Sequence, residues 1–309
     1  MKIVGPLALA VAWVAFSPEP LLAWGPGTHI ALGESLLKAL FLLPPAIRAV
    51  IRRYPAHFLY GSIAADISFA KKYVPEGRHC HSWQVGREIL EAATNEPLQA
   101  VGYGYLAHLA ADTVAHNLFV PRQLLLTSTT QAIGHTYWEH RMDLHVGESF
   151  LGTARKLVME HDHGEADALF DEVLSRTIFS FQTNRRIFRG MIRISDNDRW
   201  RKVFEQVLKN SRFDLPDDLV ERYFALSFDH VVGYLAEGEE SAAAAFDPVG
   251  DLNLRLAKKV RRLTMARGGV DDDALLESTA DDFFPLPAEP RLYSRVLSSP
   301  LTRLGSALP

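Results

Sequence analysis

The chain of 309 residues has a single cysteine, Cys80. No intramolecular disulfide can form, so stability must come from packing or from bound metal. Alternation of period two, the mark of half-buried strands, is missing throughout. A strong charge of either sign is lacking as well. The net charge of −4 argues against a surface built to attract nucleic acid. There is no glycine-rich nucleotide loop, no serine or cysteine triad and no DNA-reading motif. No fixed-period repeat is present, and no apolar run reaches the roughly 20 residues that span a bilayer.

The most apolar stretch lies at the start. Lys2 supplies a positive first segment, Ile3–Phe16 is apolar apart from Gly5 and Pro6, and Ser17–Pro20 leads into Leu21, Leu22 and Ala23. That order is the pattern of a secretory leader cut after a small residue. Residues 1–23 are therefore expected to be a signal peptide, and the exported chain to begin at Trp24. An uncleaved anchor is the less favoured reading, because the apolar run is short and Pro18 and Pro20 follow it.

What is abundant is helical periodicity. A hydrophobic content of 48% is ample for a core, and its period is close to 3.6 almost everywhere. Helices are predicted at Thr28–Leu43, Pro45–Arg53, Ser82–Ala93, Leu98–Asn117 and Thr130–Val146. Further on they are predicted at Ala154–Glu160, Glu165–Thr177, Asn184–Ile194, Arg199–Lys209, Asp217–Phe228, Glu239–Phe246 and Pro248–Met265. The proline-punctuated end, Phe283–Pro309, reads as an extended wrap or loose tail. The fold class is all-α. A core of residues 24–150 is expected to hold the chemistry, with 151–309 as a helical extension packed on it.

The chemistry concentrates in "LAHLAADTVAHN". His108, Asp112 and His116 recur every four residues and so share one stripe of a helix. His108 and His116 would lie about 12 Å apart along the axis, too far for one metal. They could serve neighbouring metals, with Asp112 between them as a two-oxygen bridge. The bland alternative is a hydrogen-bonded polar seam in a bundle. After a loop holding Pro121, "GHTYWEH" repeats the spacing with His135 and Glu139. Facing helices would bring His116, His135 and Glu139 together, and two imidazoles plus a carboxylate suit a catalytic zinc. Upstream, "GSIAADI" holds Asp66 among small residues, and "RHCHSW" holds His79 and His81, one of which is a candidate ligand.

In sequence order, Trp24, His29, Asp66, His81, His108, Asp112, His116, His135 and Glu139 resemble the ligand series of the zinc-dependent phospholipase C family. That family shares a helical, trinuclear-zinc fold with single-strand-specific nucleases. The resemblance spans roughly Trp24–Val146. It implies three zinc ions: one held by His81, His108 and Asp112 with Asp66 close by, and one by His116, His135 and Glu139. The third would be held by the amino nitrogen and carbonyl of Trp24 with His29 and the shared Asp112. It also implies that Asp66 orients or deprotonates the attacking water.

Three departures are visible. The last helix histidine, His116, follows the aspartate by only four residues, where the relatives place it further on. Ile67 stands where the phospholipases carry an aromatic that helps hold choline, so a choline preference is not implied. The Trp24–His29 spacing is nuclease-like, whereas Glu139 in place of aspartate is phospholipase-like.

The function implied is an exported phospholipase C acting on a phospholipid or membrane-surface substrate. Alternatives are a zinc nuclease of the same fold and a non-catalytic zinc-binding protein. No specific nucleic-acid binding is expected, and no protein partner is indicated. Other polar features read as ordinary structure. "HDHGE" (His161–Glu165) reads as a solvated helix cap, and Arg185, Arg186 and Arg189 as a solvated basic face. His57, His140, His145 and His230 lack partners at ligand spacing. Trp83, Trp138 and Tyr105 read as core.

Overall fold

The computed structural model describes residues 24–68, 77–127, 131–174, 181–195, 213–268 and 273–288. The expected leader, the helix expected at Arg199–Lys209 and most of the expected tail lie outside them. Every regular element among the described residues is helical, in agreement with the expected all-α fold.

The order is α1 (Pro26–Lys38), α2 (Pro45–Arg53), α3 (Pro55–Ala64), α4 (Trp83–Glu91) and α5 (Glu96–Val114). A π turn (Ala115–Phe119) runs directly into α6 (Val120–Thr127), followed by α7 (Gln131–Val146), α8 (Glu148–Glu160) and α9 (Gly164–Val173). Then come α10 (Phe181–Ser195), α11 (Asp217–Glu237), α12 (Asp251–Gly268) and α13 (Asp273–Phe283). Proline opens α1, α2 and α3 and sits in the first turn of α5. There its missing N–H has no partner to lose. Ser82 and Asn95 cap α4 and α5 by accepting from the N–H groups of Val85 and Leu98 at 3.2 and 2.9 Å.

Helix α5 is the axis of the molecule, packed against α3, α4 and α11. From Ala100 to Val114 every residue except Tyr103 is buried, as befits a largely apolar helix enclosed on several sides. Its crossing with α3 brings backbone against backbone. A Cβ on Gly61 would lie 2.1 Å from the Val101 carbonyl oxygen, and one on Gly104 would lie 2.0 Å from that of Phe58. Only glycine fits both places, and this contact brings the end of α3, with Asp66 just beyond it, beside His108.

Several expected boundaries change. The loop expected around Pro121 is helical, because the π turn absorbs the proline. Proline has no N–H for the i−4 carbonyl and its ring would crowd it. The chain instead shifts to i−5 pairing, with Val120 N donating to Ala115 O. Helices α3 and α13 were not expected; α3 follows α2 with only Tyr54 between them. The helix expected at Glu239–Phe246 is two short 3₁₀ turns, Gly238–Glu240 and Ala242–Ala245.

Candidate metal centre

Helix α5 presents His108 and Asp112 to the interior, both fully buried. Around them converge His29 from α1, Asp66 from the turn after α3, and His81 from the segment before α4. Asp112 divides its oxygens. One faces His29 Nε2 at 3.3 Å, and the other faces His81 Nε2 and His108 Nε2, each at 3.1 Å. His81 and His108 bring their Nε2 atoms to 3.0 Å of each other, and Asp66 Oδ1 lies 3.4 Å from His81 Nε2. His81, rather than His79, is the histidine of "RHCHSW" that faces Asp112. The Nδ1 of His79 accepts instead from the backbone N–H of His81 at 3.1 Å.

These spacings match a shared metal better than a hydrogen-bonded seam. Ligands at about 2.0–2.1 Å around a tetrahedral zinc stand about 3.3 Å from one another. Neither Asp112 oxygen nor His29 Nε2 makes a hydrogen bond of normal geometry, although all are buried. They converge on common points instead of pairing off. The His108 ring is also held in the required tautomer. His108 Nδ1 donates to the Ser62 carbonyl at 2.9 Å, which leaves the Nε2 lone pair facing inward. Nitrogen and carboxylate donors together are the set that zinc accepts.

Electrostatics point the same way. Burial raises the Asp112 carboxyl pKa, but the surrounding His108, His29 and His81 outweigh it and hold that pKa well below the usual range. Burial, and then repulsion from His108, holds the His29 imidazole below its ordinary value. An ionised Asp112 beside a His29 imidazole that resists protonation is the state that metal binding needs.

A second group lies beside the first. His116 in the π turn meets His135 and Glu139 on α7, their donor atoms lying within 4.8 Å of one another. The His116 and His135 rings stand perpendicular with centroids 5.0 Å apart, and His135 Nε2 lies 2.6 Å from Glu139 Oε1. The His81 and His116 ring centroids are 6.3 Å apart, so the two groups are neighbours. The facing arrangement expected from the sequence is present.

Trp24 is completely buried. Its indole N–H donates to the Ala111 carbonyl and to Ser227 Oγ, each at 3.1 Å, and its ring packs 5.0 Å from that of Phe119. The indole is a packing anchor beside Asp112, and the backbone leading into α1 and His29 starts there.

One residue of this region escaped the sequence reading. Asp143 lies one helical step beyond Glu139 on α7, so the i+4 spacing already seen in His135 and Glu139 would have found it. Its carboxylate accepts from Gly27 N, Thr28 N and Thr28 Oγ1 at 3.0, 2.8 and 2.7 Å. It therefore caps α1 from another helix, and an acidic group suits a helix N-terminus. A Cβ on Gly25 would lie 2.2 Å from Asp143 Oδ2, which explains glycine there. Burial, against those three donors, pushes the Asp143 carboxyl up to about 6.

Two bland expectations are corrected. His163 of "HDHGE" is buried, stacked on Tyr60 with centroids 3.5 Å apart, while His161, Asp162, Gly164 and Glu165 are exposed. Arg185 is not a free basic surface: it pairs with Asp167, and Arg189 donates to the Met159 carbonyl at 3.1 Å. Trp138 and Tyr105 are core residues as expected, whereas Trp83 is half buried and stacked on Tyr234.

A buried assembly of imidazoles and carboxylates within an all-helical frame suits a metal-binding protein. The chain belongs to the zinc-dependent phospholipase C family, whose model matches residues 28–183. No curated protein matches the chain, and no solved structure does.

Proposed function

We propose that this protein is an exported phospholipase C that hydrolyses a phospholipid to diacylglycerol and a phosphorylated headgroup at a three-zinc centre. The observation that carries the reading is the division of Asp112. A carboxylate with one oxygen toward His29 and the other toward His81 and His108 would join two metal positions. His81, His108 and Asp112 would hold the first, with Asp66 at its edge. His116, His135 and Glu139 would hold the second. Trp24, His29 and Asp112 would hold the third, with Trp24 contributing its amino nitrogen and carbonyl once residues 1–23 are removed. Residues 24–150 would thus supply every ligand, with 151–309 packed on them.

Bound zinc would supply positive charge to polarise the phosphate ester and to make a nearby water acidic. The chain's own residues do the rest. Asp66 takes the proton from the attacking water on a carboxylate oxygen. The water oxygen bonds to phosphorus, and the bond from phosphorus to the glycerol oxygen breaks. That oxygen leaves with the proton that Asp66 took from the water, which completes diacylglycerol and restores the carboxylate. Full burial of Asp66 and Asp112 leaves their charges little screened by solvent, which favours a bound cation. Before cleavage the nitrogen of Trp24 is a peptide amide whose lone pair is delocalised. Afterwards it is an amine with a reference pKa of about 7.7–8.0, which a metal can deprotonate. No helix among the described residues is long and apolar enough to cross a membrane.

The test is a substrate panel. Chain starting at Trp24 and loaded with zinc is assayed on phosphatidylcholine, phosphatidylethanolamine and single-stranded DNA. Release of diacylglycerol with phosphorylated headgroup is expected, without oligonucleotide cleavage. Cleavage of DNA alone would assign the nuclease activity instead, and turnover of none would leave a structural zinc cluster.

A further inference from the structure

The turn between α11 and α12 touches the second metal group in an ordered way. Three consecutive carbonyls of this turn accept from three side chains of the N-terminal half. Phe246 O accepts from Trp83 Nε1 at 2.9 Å, Asp247 O from Asn117 Nδ2 at 2.8 Å, and Pro248 O from His116 Nδ1 at 2.5 Å. Asn253 at the start of α12 adds a bond from its amide nitrogen to Asn117 Oδ1 at 2.8 Å. Gly250 closes the turn with φ +63°, and a Cβ there would lie 2.4 Å from His116 Cβ and 2.5 Å from its carbonyl oxygen. The turn lies outside residues 28–183, the part of the chain that the family model matches.

We propose that the turn Phe246–Gly250 is a positioning clamp for His116, and that the C-terminal half completes the second metal site through it. The inference rests on reading His116 as a zinc ligand. A carbonyl can only accept, so Pro248 O fixes the proton of His116 on Nδ1. The lone pair of Nε2 is then left for the metal. Ligand histidines held this way lose roughly ten- to hundredfold in metal affinity when the outer partner is removed. His116 needs such support more than His108 does. It sits in a π turn instead of a regular α-helical turn, and its partner carbonyl comes from a segment more than a hundred residues downstream. The short Gly250 approach presses the turn against the His116 backbone, and Trp83 and Asn117 hold the two preceding carbonyls in line. Pro248 contributes its carbonyl without an N–H of its own to compete for partners.

The test compares zinc stoichiometry and per-site affinity, by competition with a chromophoric chelator, in five forms of the chain starting at Trp24. These are the parent, His116→Ala, Gly250→Ala, Gly238→Ala and Trp83→Phe. Gly238 has the same φ of +63° but nothing within 4 Å of its Cβ position. It therefore reports backbone strain without contact to the metal group. Gly250→Ala is expected to weaken one zinc by roughly ten- to hundredfold and leave the others unchanged. Gly238→Ala should leave all of them unchanged. Trp83→Phe keeps a ring to stack on Tyr234 and loses only the donor to Phe246 O. It should weaken the same zinc by about two- to tenfold, the usual scale of one hydrogen bond. If Gly250→Ala does not fold, Trp83→Phe carries the test alone. Parent-like affinity in Trp83→Phe, or in a folded Gly250→Ala, overturns the clamp. Full zinc content in His116→Ala instead overturns the assignment of His116 as a ligand.

Discussion

The two groups of metal-type side chains differ in charge and in the origin of their support. The group around Asp112 gathers two fully buried carboxylates and three imidazoles, all from residues 29–112, and the carbonyl that orients His108 is Ser62 from the adjoining α3. The group of His116, His135 and Glu139 has a single carboxylate, and its oriented histidine leans on Pro248. Nearer support should make the first the more rigid group. Binding and exchange can then be tuned at the second without disturbing the first.

The largest expected effect separates chemistry from metal binding within the first group. Asp66→Asn keeps the shape and one acceptor oxygen but cannot take a proton. It should lose about two to four orders of magnitude in rate while retaining its zinc. Parallel loss of zinc and rate would make Asp66 a plain ligand.

Asp112→Ala is the next, because it alone faces both His29 and the His81–His108 pair. Metal analysis should show loss at two positions in this variant and at one in His29→Ala. A full complement of zinc in Asp112→Ala would refute the bridge and erase the distinction between the two groups.

Graded chelation tests the distinction directly. The zinc held by His116, His135 and Glu139 should leave first, so partly depleted protein should resemble Glu139→Ala in stoichiometry and residual activity. Loss of the Asp112-linked metals first would reverse the comparison.

The smallest effect concerns groups outside both sites. Burial pushes the His163 and His230 imidazoles down to about 4, whereas in the unfolded chain they titrate near 6.5. Between those values the unfolded state takes up protons that the folded state refuses. Stability supported by these neutral rings is therefore present above about 6.5 and is lost as pH falls toward 4. Asp143, pushed up to about 6, acts in the opposite sense between about 6 and 3.8 and offsets part of the loss. Metal-free protein should lose of order 1 kcal/mol per histidine by pH 5. Denaturant titrations of the parent and of His230→Gln, whose slope with pH should be shallower, would measure it.

The legibility of this molecule in its sequence follows the same division. Spacings of four residues revealed His108, Asp112 and His116, and His135 with Glu139, since a helix turns that spacing into a shared face. The same rule applied once more along α7 reaches Asp143, whose partners Gly27 and Thr28 lie on a distant helix and leave no local signal. Asp66 could be named from its resemblance to relatives, but its place beside His108 depends on the Gly61–Gly104 crossing, a tertiary contact that no local pattern expresses. Pro121 suggested a loop, because proline ends most helices and nothing nearby announces a π turn. The Pro248 carbonyl was invisible in a stronger sense: a backbone acceptor has no residue signature, and it arrives by long-range folding.

That π turn has a further consequence, best put in terms of insertions and deletions. Helix α5, the turn and α6 form one continuous run from Glu96 to Thr127, carrying one residue more than a regular ladder would need. Removing a residue between Asn117 and Phe119 would restore regular pairing there. It would also rotate everything downstream by about 100° about the axis. Pro121 would then fall within an unbroken α ladder, and His116 would lose the widened turn that lets it reach both α7 and the Pro248 carbonyl. Apart from Gly104 and the ligands His108, Asp112 and His116, composition along this stretch can drift so long as the core stays filled, but its length cannot change.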